Sequence, residues 1–167
     1  MQIRISHDYQ CDPDTLYFAF ADGEAVEQKY LALGADAVEF VDHQISDEGC
    51  ELVTRRELES DIPKVLQSIL GQRNTIEQSE RWRSEGLEHL CQLKIKLLGV
   101  PINIQGQLHI RPTDSGCTND IQLLVKSAIP LIGGQLEKFV ANQCAHMIEA
   151  EYAYLTKNLA VSEQSLE

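Results

Sequence analysis

The last third of the chain constrains the fold most. After a strand-like run ending in Ile129-Pro130-Leu131-Ile132 and the pair Gly133-Gly134, one helical pattern extends from about Gln135 to Ala160. At about 100° per residue, Leu136, Val140, Cys144, Met147, Ile148, Leu155 and Leu159 fall on one side of it, flanked by Phe139, Tyr152 and Tyr154. An amphipathic rod of that length, coming after many strands, must find a sheet to lie on. Glu151 projects near the middle of the apolar side and is the exception there.

The upstream pattern supplies the sheet. Ile3, Ile5 and His7 alternate with Arg4, Ser6 and Asp8, as in a first strand with one buried face. Asp12-Pro13-Asp14-Thr15 opens a short helix through Leu16, Tyr17 and Phe20, because Asp12 can cap and Pro13 suits the first helical position. A second short helix carries Val26, Tyr30, Leu31 and Leu33 and stops at Gly34. Period-two patterns follow: Val38 and Phe40, then Leu52, Thr54, Arg56 and Leu58 across the Ser46–Gly49 turn. Helical spacing at Ile62, Val65, Leu66 and Ile69 predicts a short helix over 62–70. Strands then resume at Thr75–Arg83 with Trp82, at Leu93, Ile95 and Leu97, at Ile102, Ile104, Leu108 and Ile110, and at Ile121, Leu123 and Val125. Gly106 marks a bend.

At 167 residues the chain fits one domain, placed at 1–160, with a polar tail at 161–167 expected to fray. A net charge of −12 repels phosphate, which argues against a nucleic-acid partner or an anionic membrane surface. No apolar run approaches the ~20 residues of a membrane span, so no integral membrane association is expected. The cysteines Cys11, Cys50, Cys91, Cys117 and Cys144 form no CxxC and read as reduced thiols in a cytoplasmic protein. The histidines are scattered, without HxxxH or HExxH, so no metal site and no cofactor is implied.

The order of one strand, two short helices, about six antiparallel strands and one long helix resembles the α+β helix-grip, or START-like (SRPBCC), fold. The pieces that carry the resemblance are Asp12-Pro13-Asp14-Thr15, Tyr30-Leu31-Ala32-Leu33-Gly34, Thr54-Arg55-Arg56, the Ile129–Lys138 junction and Glu149-Ala150-Glu151. Together they look like a bacterial START-like family known only as a domain of unknown function. The resemblance implies a curved sheet gripping the last helix, with a cavity for lipids, polyketides or other apolar molecules between them.

A bent sheet cannot press evenly on one straight helix, and its inward residues line the space left over. Those are Leu93, Ile95, Ile104, Leu108, Leu123, Val125, Val140, Cys144, Met147 and Leu155; each taken singly is more often simple core than ligand contact. Trp82, between Arg81 and Arg83, can stack on a ligand or anchor the packing. Glu151 must be paired, hydrated or protonated there, and Arg56, sharing the apolar parity of Leu52 and Leu58, is its expected partner. The pair would form a polar anchor at one end of an apolar pocket, against the plainer alternative of a structural ion pair. Glu77, Glu80, Arg81, Arg83 and Glu85 read as a solvated strand face. Cys144 reads as a small packed hydrophobe.

Three functions follow. The first is non-enzymatic binding or carrying of a small hydrophobic or amphipathic molecule, lipid-like or polyketide-like. The second is a cyclase or hydratase-type enzyme using polar cavity residues, Glu151 with Tyr154 or His109. The third is a protein-interaction module, whose acidic surface would suit a basic partner.

Overall fold

The N-terminal alternation forms β1 (Gln2–Tyr9), with His7 and Tyr9 buried and Arg4, Ser6 and Asp8 outward in the computed structural model of the protein. That structure describes the backbone of residues 1–165 and the side chains of 1–159. Helix α1 (Pro13–Ala21) starts where expected: Thr15 N donates to Asp12 Oδ1 at 2.7 Å and Pro13 takes the first turn. Asp22 closes α1 and caps α2 (Gly23–Ala32) by accepting from Ala25 N at 3.0 Å. Gly34, at φ +111°, supplies the left-handed turn that ends the pair.

The rest of the sheet is β2 (Glu39–Ser46), β3 (Gly49–Glu59), β4 (Arg73–Glu85), β5 (Glu88–Leu97), β6 (Ile102–Thr113) and β7 (Gly116–Ser127). All neighbours are antiparallel, in the order β1-β7-β6-β5-β4-β3-β2, so the first strand closes onto the last. The register lays inward side chains in rows. Leu52 faces Glu80 and Glu80 faces Leu93; Thr54 faces Gln78 and Gln78 faces Ile95; Ile95, Ile104 and Val125 continue one row. Gly106 sits where β6 and β7 press together: a Cβ there would lie 2.0 Å from the Gln122 carbonyl oxygen.

Helix α3 (Gly133–Ser165) lies across the sheet. The polar tail expected at 161–167 falls on side chains outside the described range, and residues 166 and 167 lie outside it altogether. Two expectations of local structure give way. The helix predicted over 62–70 is a single 3₁₀ turn, Lys64–Leu66, which buries Leu66 and Leu70 fully and leaves Ile62 and Ile69 partly buried against the same cluster. The run Ile129–Ile132 is not strand: β7 stops at Ser127, Pro130 cannot donate to a ladder, and Leu131 takes a φ of 68° as the chain turns into α3. The core has two parts. One packs α1 and α2 on the Trp82 end of the sheet, and the other packs Leu136 and Val140 on Ile104, Val125 and Leu66.

Candidate ligand-binding cavity

Between these two packed regions the sheet and α3 enclose a cavity of about 400 Å³. One wall is apolar: Leu93, Ile95, Ile104, Leu108, Ile121 and Leu123 from the sheet face Val140, Cys144, Met147 and Ile148 from α3. The adjoining part of the lining is polar, made by Arg56, Gln78 and Glu80 from β3 and β4 with Tyr30 from α2 and Glu151 from α3. The rim, at Asp36, Glu57, Glu59 and Arg73, is ion-paired: Arg73 lies 2.7 Å from Asp36, 3.3 Å from Glu57 and 2.7 Å from Glu59.

Most of the residues singled out from sequence meet here. Arg56, Leu93, Ile95, Ile104, Leu108, Leu123, Val140, Cys144, Met147 and Glu151 all line the cavity. Trp82, Val125 and Leu155 do not. Trp82 is covered by α1, its ring centroid 5.5 Å from those of Tyr17 and Phe20; Val125 belongs to the Leu136 side of the core; Leu155 packs within the α1–α2 side. Cys144 is a cavity thiol that burial pushes up to about 11, Arg56 working against the rise, so it stays protonated at neutral pH.

The anchor is built differently from the expected pair. Glu151, whose side chain is 19% exposed, binds Lys29 Nζ at 3.1 Å, and Arg56 instead donates from Nη2 to Gln78 Oε1 at 3.1 Å, with its Cζ 3.9 Å from the Tyr30 ring centre. Lys29 is 1% exposed, its ammonium 4.2 Å from the Phe20 ring centre. Burial acts to lower its pKa, but Glu151, Tyr30 and Glu80 outweigh that and hold it above the ordinary lysine value. Lys29 could have been found in the sequence. Val26, Lys29, Tyr30 and Leu33 follow the spacing i, i+3, i+4, i+7, so Lys29 is the charged exception on α2 as Glu151 is on α3.

Glu80 is a correction of the same kind. It is not on a solvated face but 4% exposed, its carboxylate accepting from Trp82 Nε1 at 3.3 Å. Period two explains it, since Gln78, Glu80 and Trp82 share the inward parity while Arg81 and Arg83 point out. Desolvation pushes its carboxyl up to about 7, with Glu151 adding to the rise and Lys29, the Trp82 hydrogen bond and Arg56 opposing it. Neither Tyr154 nor His109 lines the cavity; His109 bonds Glu88 at 2.8 Å.

A second polar chain lies outside the cavity. Asp14 Oδ1 meets His89 Nε2 at 2.8 Å, and His89 Nδ1 meets Ser84 Oγ at 2.8 Å, under the stacked ring of Tyr17. It ties α1 to the β4–β5 hairpin.

A closed sheet face gripping one long helix around such a cavity is the START-like helix-grip fold. The chain belongs to the family described as protein of unknown function (DUF2505), whose model matches residues 4–159. Among solved structures, it is similar to TTHA0849 from Thermus thermophilus, at 16% identity and a TM-score of 0.67, over 97% of this chain and 99% of that one. It is also similar to Zhui aromatase/cyclase from a Streptomyces species, at 9% identity and a TM-score of 0.64, over 96% and 93% of the two chains. Human STARD10 matches at 12% identity and a TM-score of 0.63, over 99% of this chain and 67% of that one. At these identities the likeness is one of fold. No curated protein matches the chain. Among the described residues, no helix is long and apolar enough to cross a membrane.

Proposed function

We propose that the chain binds, without transforming, a small hydrophobic or amphipathic molecule in the cavity between sheet and α3. The observation that carries this reading is the cavity itself. Its 400 Å³ fall in the range of small-molecule sites, and its apolar wall and single polar wall suit a ligand with one polar end. An interaction module needs no such space; an evenly packed interior would serve it better. Titration with N-phenyl-1-naphthylamine, an uncharged fluorophore that brightens in apolar surroundings, tests the reading. The wild type should bind it saturably, and the folded double variant Ile95→Trp/Met147→Trp, which fills the cavity, should not. Equal binding by both would refute the cavity as the site.

A second reading rests on Glu80. A carboxyl poised near pH 7 within reach of a bound molecule is suited to move protons, and one structure of this fold is an aromatase/cyclase. If the protein is such an enzyme, incubation with a poly-β-ketone thioester should give a cyclised product that Glu80→Gln fails to make. A carrier returns the thioester unchanged in both cases.

A further inference from the structure

The polar wall of the cavity holds a cation whose hydrogen-bonding capacity is largely unused. Arg56 is 8% exposed and donates from Nη2 to a neutral amide, while among the described residues no group accepts from its buried Nε or Nη1. Two residues back on the same face, Thr54 Oγ1 is also buried without a partner. The carboxylates that could answer Arg56 are engaged elsewhere, Glu151 by Lys29 and Glu80 by the Trp82 indole. An idle buried donor on a charged group is costly, and the cost is relieved when an acceptor arrives.

The local charge points the same way. Lys29 and Arg56 are two cations, set against Glu151 and a Glu80 that burial leaves only partly ionised near neutral pH. These four groups therefore carry a small positive balance of their own, although the rim carboxylates Asp36, Glu57 and Glu59 outnumber Arg73.

Resting on the cavity reading above, we propose that the molecule bound is an apolar monoanion whose carboxylate pairs with Arg56, the guanidinium turning from Gln78 to bring its buried, idle hydrogens to the cavity, while the apolar body lies along the β5–β7 wall. The charge sign is the new element: an alcohol of the same shape could accept a hydrogen bond there but brings no charge and only one oxygen, and an ammonium or a hydrocarbon could accept none. Guanidinium matches carboxylate in geometry and charge, which gives discrimination as well as affinity.

The test is displacement of bound N-phenyl-1-naphthylamine by dodecanoate and by dodecanol, which share a chain length and differ in the headgroup. Dodecanoate should compete at least about tenfold better on the wild type, as befits hydrogen bonds to a charged group. In Arg56→Gln, with each displacement referred to that variant's own affinity for the fluorophore, the preference for dodecanoate over dodecanol should vanish. Arg56→Met, which keeps an apolar stem in place, should behave alike and serves if the glutamine variant does not fold. Equal competition on the wild type, or a preference that survives in either folded variant, overturns the inference and leaves the cavity reading standing. A fluorophore that fails to bind the wild type overturns both.

Discussion

Lys29 and Glu151 are each a charge on an apolar helix face, and each is tolerable only because the other is 3.1 Å away. Such a pair adds little over a hydrophobic one of the same volume, but losing one member strands the other. Lys29→Met and Glu151→Leu should therefore each destabilise by about 3 kcal/mol, while the double variant should cost far less than their sum. Urea denaturation of all four proteins checks this; additivity would mean that the two charges do not act as a pair. Glu80 gives a pH dependence. Its folded pKa, about 7, lies above the ordinary 4.5, so between those values the folded chain keeps a proton that the unfolded chain has released. Its contribution is therefore largest at low pH and is lost as pH rises through about 7. Relative to wild type, Glu80→Gln should gain roughly 2–3 kcal/mol of stability between about pH 5 and about pH 8. A pH-independent difference would place Glu80 in contact with water.

At the scale of elements, the β6–β7 pairing depends on Gly106, whose missing Cβ leaves room for the Gln122 carbonyl at the row shared with Leu93 and Leu123. Gly106→Ala must push these central strands apart and should cost about 3 kcal/mol, read as a fall in thermal midpoint. An unchanged midpoint would mean that the strands shift without penalty. The same strands show what a sequence displays and what it conceals. Period two placed Leu52, Ile95, Ile104 and Leu123 on the inner face, and Asp12-Pro13 and Gly34 marked where helices start and stop, because these signals are local. Which inward residues surround the cavity was not local. Trp82, Val125 and Leu155 share the parity or wheel position of the lining residues; α1 and α2 over the sheet remove Trp82 and Leu155, and the packing of Leu136 and Leu66 removes Val125. The pairing of Glu151 was hidden for the same reason: Arg56 and Lys29 are both inward, and the close approach of α2 to α3 decides between them. Glu80 was legible by parity with Trp82, though grouping it with its charged neighbours hid it.

For the whole molecule, one geometric mismatch organises everything else. A seven-stranded sheet curves, a 33-residue helix does not, and packing at both ends leaves a space in the middle that these side chains do not fill. Cysteine, methionine and leucine line part of it; Arg56, Glu80 and Glu151 line the rest at the junction of β3, β4, α2 and α3, with the buried Lys29 behind Glu151. The most direct test is native mass spectrometry of the freshly purified protein, repeated after incubation with excess dodecanoate. The account predicts a hydrophobic adduct, or one equivalent of dodecanoate, that is absent from the Ile95→Trp/Met147→Trp variant. The bare chain mass under both conditions would contradict it.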